Sequence, residues 1–340
     1  MSPSGRYGRG SRTATATPAR WCLPHSAGEI AAAVKEAAAA GLTVRAVGSG
    51  HSFTPVAATD GVALDLLLWT GIVAADTPAG LVAVRSGTTL RALNAALDGL
   101  GLAMANLGDI DAQTLAGALC TGTHGTGARL GGLATQVEAL ELVLADGSLV
   151  SCSGPVRPEL FAAARIGLGA LGVISTVTLR CVPSFTLAAE YTEASHRVFV
   201  TPRRVRFTES EYAVPRESLV AVLGELRRAV PRLADPVMFP VEVRVAAADD
   251  IWLSTAYQRE TAYIAIHQHS WLPYRAYFDA FSSIVADVDG RPHWGKLHGL
   301  GAERLGRLYP RHQDFRRVRA EVDPEGRFGN PYLTQVLGRP

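Results

Sequence analysis

A strand that ends in a glycine-rich turn is the feature that most constrains the fold of this chain. In the segment VRAVGSGHSF, residues 44–53, apolar residues run directly into Gly48, Ser49 and Gly50, and His51 leaves the turn. Glycines have no Cβ, so successive backbone N–H groups of such a turn can converge on an anion. The turn therefore fits a phosphate-binding site, although an ordinary tight turn fits it as well.

A second glycine-rich stretch, QTLAGALCTGTHGTG at 113–127, has a related character. Its small residues would let the backbone approach a flat ligand closely, while its threonine hydroxyls and the His124 imidazole offer hydrogen bonds. Neither stretch has the GxGxxG or GxxxxGK[ST] spacing, which disfavours Rossmann and P-loop sites. Taken alone, the second stretch could be a buried glycine-rich loop; its pairing with the first favours a ligand site.

The chain up to residue 183 mixes helices and strands. Residues 24–41 predict a helix, with Ser26 at its N-cap and Gly41 at its C-cap. The Asp146-Gly147 pair between two apolar runs predicts a β-hairpin. This mixture favours an α+β domain over a regularly alternating parallel one.

Longer strands and more aromatic residues follow from about residue 184. We expect an antiparallel sheet formed by HRVFVTPRRVRFTESEYAVP, MFPVEVRVAA and TAYIAIHQHSWL, with a helix opened by Pro215. From residue 290 the chain predicts helices and then a loop. The resulting division is a disordered tail at 1–20 and two domains, 21–183 and 184–340.

Composition excludes several classes of function. The net charge of +2 gives no electrostatic case for nucleic-acid binding. The longest apolar runs are far shorter than the roughly 20 residues of a membrane helix, and the first 20 residues lack the apolar core of a secretory signal. We expect a cytoplasmic protein, and peripheral contact with a membrane surface stays open. Four widely spaced cysteines predict free thiols rather than a zinc site or a disulfide framework.

Two pairs of polar residues alternate on predicted strands, so each pair shares one face of its strand. Glu242 and Arg244 form one pair, although an unrelated exposed pair would look identical. His267 and His269 form the other. Together with His293 and His298 they raise the alternative of a metallohydrolase, which the lack of a carboxylate at a recognised ligand spacing disfavours.

Six motifs, in order along the chain, give the sequence a family resemblance: RAVGSGHSF, TLAGALCTGTHGTG, GALGVISTVTL, PVEVR, WLSTAY and RPHWGKLH. They resemble the FAD-dependent aldonolactone oxidoreductases of the vanillyl-alcohol-oxidase superfamily, to which alditol oxidase is related. The resemblance implies a two-subdomain FAD-binding domain of the PCMH type, followed by an α+β substrate domain with an antiparallel sheet. The last ~50 residues would return to the FAD-binding domain.

The resemblance also implies roles for individual residues. The turn amides would hold the FAD pyrophosphate, and His51 would be joined covalently to the flavin 8α-methyl group. The substrate would be a sugar lactone whose hydride passes to flavin N5 and whose electrons pass to O₂ or another acceptor. Arg244 would stabilise charge on the substrate oxygen, Glu242 would orient the sugar hydroxyls, Lys296 would reach the substrate oxygen, and His269 would line the substrate pocket. The implied FAD-binding set is Ala46, Val47, Gly48, Ser49, Gly50, His51, Ser52, Asp109, Thr114, Gly117, Ala118, Gly122, Thr123, His124, Ile174 and His293.

The chain departs from the family pattern in two places. Only AAEYTEAS joins LRCVPSFTL to HRVFVTPRRVRF, where the family has several tens more residues, so the substrate domain is expected to be truncated and its sheet to expose an edge. The usual opening strand with a tryptophan is not expected either. The alternatives that stay open are an alditol oxidase and an FAD-binding protein that the internal deletion has inactivated.

Overall fold

A computed structural model describes residues 14–188, 192–200 and 205–340. Most of the predicted N-terminal tail therefore lies outside the described residues. The strands are β1 Arg20–Cys22, β2 Val44–Val47, β3 Val62–Asp65, β4 Ile72–Asp76, β5 Leu81–Arg85, β6 Leu102–Ala103, β7 Val137–Val143, β8 Leu149–Ser153, β9 Val173–Arg180, β10 Val182–Pro183, β11 Thr186–Ala188, β12 Thr192–Ala194, β13 Phe207–Pro215, β14 Glu242–Ala246, β15 Thr261–His269 and β16 Arg291–Pro292. The α-helices are α1 Ala27–Ala39, α2 Leu90–Gly99, α3 Leu115–Cys120, α4 Pro158–Ala164, α5 Ser195–Phe199, α6 Leu219–Ala229, α7 Arg275–Ala286, α8 Ala302–Leu308, α9 His312–Val322 and α10 Pro331–Leu337.

A small parallel sheet carries the glycine turn. Its strand order is β1-β3-β2, and the turn at residues 48–50 leaves the end of β2. Helix α1 begins where predicted, since the Ser26 hydroxyl accepts a hydrogen bond from the Glu29 N–H, and it packs its apolar face on this sheet through Ile30 and Val34. The expectation that the opening tryptophan strand is missing is wrong: Trp21 lies in β1 and pairs with Ala63 of β3.

A five-stranded antiparallel sheet of order β4-β5-β9-β7-β8 forms the second layer of this half. The predicted hairpin at Asp146-Gly147 is confirmed, because it joins β7 to β8. Apolar side chains of α8, α9 and α10, including Leu305, Phe315 and Leu333, lie in the same core as residues of this sheet. The C-terminal helices thus pack on the first half of the chain.

A four-stranded antiparallel sheet of order β14-β15-β13-β16 forms the second half, as the patterns predict. One face is apolar and is covered by α6 and α7, through residues such as Ile264 and Phe281. Its edges are not bare. The Gly127 N–H donates to the Val245 carbonyl over 2.9 Å beside β14, and β16 pairs with β13 on the other side. The exposed edge expected from the short substrate domain is therefore covered along part of its length.

Two predicted elements differ from the structure. The long strand expected at HRVFVTPRRVRF begins instead as helix α5, and residues 201–204 lie outside the described part of the chain. The segment predicted as a C-terminal loop contains helix α10, which Asn330 caps by accepting a hydrogen bond from the Leu333 N–H. Both α5 and α10 are short, so few residues contribute to a local sequence pattern. Packing against the rest of the protein therefore decides the structure of these two segments. None of the described helices is both long and apolar enough to cross a membrane.

Candidate active site

An open cleft of about 810 Å³ lies between the parallel sheet and the second glycine-rich stretch. Several residues of the predicted FAD-binding set line it: Ala46, Val47, Gly48, Ser49, Gly50, His51, Ser52, Thr114, Gly117 and Ile174.

Glycine is required at two positions of the turn. Gly50 has φ +72°, in the left-handed region that other residues rarely adopt. At Gly48 a Cβ would lie 2.5 Å from the hydroxyl oxygen of Thr114, on the opposite wall of the cleft. The Gly48 backbone therefore packs directly against the Thr114 side chain, and a side chain at residue 48 would collide with it.

The cleft ends at the C-terminal motif RPHWGKLH. Its backbone is bonded to the exit of the glycine turn, since the Phe53 N–H donates to the Gly295 carbonyl over 2.7 Å and the Thr54 hydroxyl donates to the Trp294 carbonyl over 2.9 Å. The Lys296 ammonium lies 5.5 Å from the centre of the Phe53 ring. Segments more than 200 residues apart in sequence thus place Lys296 beside the turn that carries His51.

Burial and the nearby Lys296 charge both lower the pKa of His51. The neutral form of its imidazole is therefore favoured over the imidazolium form. A neutral imidazole has a nitrogen lone pair available as a nucleophile.

The four-stranded sheet has a second, polar face, which is turned toward His51 and Lys296. Strand register puts Glu211, Ala265 and Glu242 in one row, and pairs Arg244 with Tyr263 in the next. Residues two apart share a face, so all of these side chains leave the sheet on the same side. The Tyr263 ring stacks on His124 with ring centres 3.5 Å apart, which joins this face to the second glycine-rich stretch.

Arg244 lies at the centre of a set of oxygen partners. Its guanidinium donates to the Glu242 carboxylate, contacts Asp109 over 3.2 Å and donates to the His124 carbonyl over 3.3 Å. Burial alone would lower the pKa of Arg244, but the carboxylates of Asp109 and Glu242 raise it above its usual value. Arg244 is therefore a permanent cation whose guanidinium is held in a fixed orientation.

Lys296 is held by a carboxylate that the sequence did not indicate. Its ammonium forms an ion pair with one carboxylate oxygen of Glu209 on β13. The other oxygen of that carboxylate lies 3.5 Å from Nε2 of His267. Burial would lower the pKa of Lys296, yet the Glu209 carboxylate raises it, so the ammonium form is favoured. The site therefore presents two cations, Arg244 and Lys296, each fixed by acidic partners.

A buried cluster of His124, Glu211 and His293 lies between these cations. Their ligand atoms are within 4.8 Å of one another, a grouping that could hold a metal ion. However, His124 Nε2 is 2.6 Å from the Glu211 carboxylate, and His293 Nδ1 accepts the Gly295 N–H over 3.1 Å. The polar atoms are thus engaged with one another, as in a hydrogen-bonded network.

Three of the four histidines of the metallohydrolase alternative have separate partners, while His293 belongs to the buried cluster. His267 faces Glu209, and His298 is 3.0 Å from the Tyr332 hydroxyl. His269 stacks on Trp271 with ring centres 4.0 Å apart and also contacts Phe239. In the described part of the chain, no hydrogen bond or ion pair joins His269 to Arg244 or Lys296, so it lies on the aromatic side of the site.

Other members of the predicted FAD-binding set lie outside the cleft wall. Asp109 contacts Arg244, Thr123 bonds Gln113, and His124 and His293 belong to the buried cluster; Ala118 and Gly122 are in and after α3. The cleft wall also includes residues that sequence reasoning missed, among them Arg45, Ser86, Gly87, Gln113, Cys120 and Gly169. The Arg45 guanidinium is buried and donates to four backbone carbonyls, those of Gly169, Phe328, Val56 and Leu168.

Glu209 and Glu211 are the other functional candidates that the sequence did not single out. Their signal was present in FTESEYAVP, where two acidic residues alternate in an otherwise apolar strand. Such a pattern is typical of a strand with one polar face, and only the structure shows that this face is buried.

Comparison with known proteins agrees with this geometry. A family model for an FAD binding domain matches residues 18–153, and a family model for D-arabinono-1,4-lactone oxidase matches residues 160–336. The chain is 35% identical to L-gulono-1,4-lactone dehydrogenase of Mycobacterium tuberculosis, over 94% of this chain and 96% of that protein. It is also 30% identical to alditol oxidase of a Streptomyces species, over 85% and 89% of the two chains.

A solved structure shows the same fold. A solvent-stable cholesterol oxidase superposes with a TM-score of 0.81 over 96% of both chains, at 18% sequence identity. The predicted α+β architecture, with an FAD-binding domain of the PCMH type and an antiparallel sheet behind it, is confirmed. With one family model covering more than half of its residues, the chain belongs to the D-arabinono-1,4-lactone oxidase family of FAD-dependent oxidoreductases.

Proposed function

We propose that this protein oxidises an aldono-1,4-lactone at its C2 hydroxyl group, using FAD. One observation carries the proposal: next to the cleft that contains His51, Arg244 and Lys296 both lie close enough to Asp109 and Glu211 to interact with these carboxylates, and the Lys296 charge also acts on His51. A hydroxyl that loses a hydride and a proton passes through a state with negative charge on its oxygen, and preorganised cations lower the energy of that state.

The cleft residues fit FAD. The glycine turn, which lines the cleft, would hold the pyrophosphate through its backbone N–H groups, and Thr114 and Gln113 offer further polar groups in the same cleft. Asp109, Thr123, His124 and His293 lie toward the substrate end and would contact the flavin from there. Bound FAD supplies a hydride acceptor.

The protein's own groups would orient the substrate. Arg244 and Lys296 would contact the oxygen of the reacting hydroxyl, and Glu242, which bonds Arg244, would also accept hydrogen bonds from sugar hydroxyls. His269, with Phe239 and Trp271, would contact the remainder of the lactone. The product would be a 2-keto lactone, which tautomerises to an ascorbate-type enediol.

The names of the relatives support a lactone substrate, since gulono- and arabinono-lactone oxidoreductases are among them. The alignment with the mycobacterial dehydrogenase spans 415 positions, whereas this chain has 340 residues, which supports an internal deletion. The likeness to alditol oxidase favours alditols as a second candidate substrate class. We place the protein in the cytoplasm, with O₂ or another electron acceptor, and we propose no nucleic-acid partner.

An anaerobic substrate panel tests the function. The purified yellow protein is mixed with L-gulono- and D-arabinono-1,4-lactone and with xylitol and sorbitol, and flavin absorbance is followed. Bleaching by a lactone supports the proposal, and bleaching by alditols alone supports the second candidate. A flavin that none of these compounds bleaches would indicate an FAD-binding protein without turnover.

The electron acceptor is expected to depend on Gly108. A Cβ there would lie 3.1 Å from Thr123 Cγ2 and 3.3 Å from the His124 carbonyl oxygen, both in the proposed flavin-contacting set. Because residue 108 itself has no side chain, we expect the reduced protein to react with O₂ and release hydrogen peroxide, and Gly108→Ala to slow reoxidation. Stopped-flow reoxidation in air-saturated buffer measures this.

The matched control for that experiment is Gly108→Ala combined with Thr123→Ser. The serine keeps the hydroxyl that bonds Gln113 and removes the methyl group that the new Cβ would meet. Slow reoxidation should persist in the double variant if the added methyl obstructs oxygen. Slow reoxidation in wild type, unchanged by either variant, would show that O₂ access is controlled elsewhere and would favour a dehydrogenase.

A further inference from the structure

Two carboxylates are buried on one strand of the substrate-side sheet. Glu209 and Glu211 lie two residues apart on β13, on the same face, and are 5% and 7% exposed. A buried carboxylate is costly unless it is paired and hydrogen-bonded. Each carboxylate is therefore expected to have a partner that offsets the cost of its burial, and the two carboxylates have different partners.

Glu209 is paired with Lys296, and Glu211 with His124. Burial alone would raise the pKa of Glu209, but the positive charge of Lys296 lowers it, so the carboxylate stays ionised. The Lys296 ammonium and the Glu209 carboxylate therefore form an ion pair that is largely screened from water. Charges so placed attract each other more strongly than the same pair would on the surface.

The backbone of the Lys296 turn does not depend on the Glu209 side chain. The Lys296 N–H donates to the His293 carbonyl, and the Leu297 N–H donates to the Glu209 carbonyl, both over 3.0 Å. Main-chain bonds therefore set the course of the turn. What the Glu209 carboxylate adds is the position and the protonation of the ammonium at the end of the flexible Lys296 side chain.

The identity of residue 296 is informative by itself. The chain has 33 basic residues, of which 31 are arginine and only Lys35 and Lys296 are lysine. Lys35 is exposed on α1. A compact ammonium with a shiftable pKa differs from a guanidinium that is always charged. Of the two lysines only Lys296 lies in the site, where its side chain is 21% exposed and pairs with Glu209.

We propose that Glu209 is a positioning residue, whose carboxylate fixes the Lys296 ammonium at the substrate end of the cleft and keeps it protonated. This inference rests on the proposed function only for the contact between Lys296 and substrate. The charged and titratable groups that face this pair are Glu211, Asp109, His51, His267 and His293, with Arg244 and His124 beyond Glu211.

The presence of only two lysines allows a direct test that does not require turnover. Holoenzyme labelled with [¹³C]lysine should give two sets of side-chain Hε–Cε signals, and Lys296→Met identifies the buried one by its loss. Removing an opposite charge this close typically shifts a pKa by about 1–3 units. In Glu209→Gln we expect the Lys296 signal to titrate at lower pH by at least about one unit, because burial is then opposed only by the Glu211 and Asp109 carboxylates, while the Lys35 signal stays unchanged.

Glu211→Gln is the matched control, since that carboxylate is equally buried but bonds His124. It should move the Lys296 titration less than Glu209→Gln does. Glu209→Asp, which keeps the charge on a shorter side chain, should give an intermediate value and replaces Glu209→Gln if that variant does not fold. A Lys296 titration that is the same in wild type and in the Glu209 variants, or that Glu211→Gln moves as much, would overturn the proposal.

Flavin reduction supplies the second readout. As pH rises, loss of the ammonium should slow reduction by lactone, and in Glu209→Gln this decline should begin at lower pH than in wild type. If no lactone reduces the wild-type flavin, the proposed function fails, while the lysine titration still decides whether Glu209 controls Lys296. A wild-type decline that keeps its midpoint in Glu209→Gln would count against the proposal.

Discussion

Arg244→Ala is expected to lower the rate of flavin reduction by lactone about 10²–10³-fold while the protein keeps its FAD. Loss of one preorganised donor to a developing oxygen charge typically has an effect of this size. Arg244 is on β14 of the substrate-side sheet and is absent from the cleft wall, so cofactor binding should not depend on it. Anaerobic stopped-flow reduction and the flavin absorbance of the purified variant measure the two quantities.

Two further variants separate catalysis from folding. Arg244→Lys keeps a positive charge, but an ammonium cannot reach Glu242, Asp109 and the His124 carbonyl with the geometry of a guanidinium, so an intermediate rate is expected. Arg216→Ala removes an exposed arginine at the end of β13 that pairs with Glu260, and it should leave reduction unchanged. Reduction at a near wild-type rate in Arg244→Ala would refute the role of this residue.

Local sequence signals predicted the cofactor side of the molecule well. The capping by Ser26, the hairpin at Asp146-Gly147 and the glycine turn after β2 each depend on residues close together in sequence. Backbone constraints of this kind act within a few residues, so they can be recognised without knowledge of the partner segments. Position 50 illustrates this, because its left-handed φ requires glycine wherever the turn is placed.

The elements that sequence reasoning missed depend on distant partners. Trp21 belongs to a three-residue strand that exists only because β3, about 40 residues later, lies parallel to it. A parallel neighbour gives no local turn signal, unlike a hairpin. The buried charges are a similar case. Glu209 and Glu211 look like solvent-facing residues of a half-buried strand. The ionic partner of Glu209, Lys296, and the hydrogen-bond partner of Glu211, His124, come from segments about 87 residues away.

The same long-range contacts explain why the candidate site is assembled from separate segments of the chain. His51 comes from the parallel sheet, Arg244 and Glu209 come from the substrate-side sheet, and Lys296 comes from the segment that leads into the C-terminal helices. The Phe53–Gly295 hydrogen bond of 2.7 Å joins the first of these segments to the last. The register of β13, β14 and β15 therefore fixes the relative positions of the substrate-side residues.

His51→Ala is expected to give flavin that denaturation releases, since we propose that His51 is the point of covalent attachment. If it is, acid-precipitated wild-type protein should keep its yellow colour and fluoresce on a denaturing gel. In His51→Ala the glycine turn remains, so FAD should still bind but should pass completely into the acid supernatant. His25→Ala removes an exposed histidine just ahead of α1 and should keep the covalent flavin.

The pH dependence of attachment follows from the environment of His51. Burial and the Lys296 charge lower its pKa from the usual value of about 6.5, so the neutral imidazole persists below the pH at which a free histidine is half protonated. The rate of covalent incorporation of FAD into apoprotein should therefore fall at lower pH than the titration of a free histidine, so that at pH 6.5 it stays above half of its value at pH 8. Gel fluorescence against time at each pH measures this rate. A rate that already halves at pH 6.5 would mean that the imidazole titrates as in water, and complete release of flavin from precipitated wild-type protein would exclude the linkage itself.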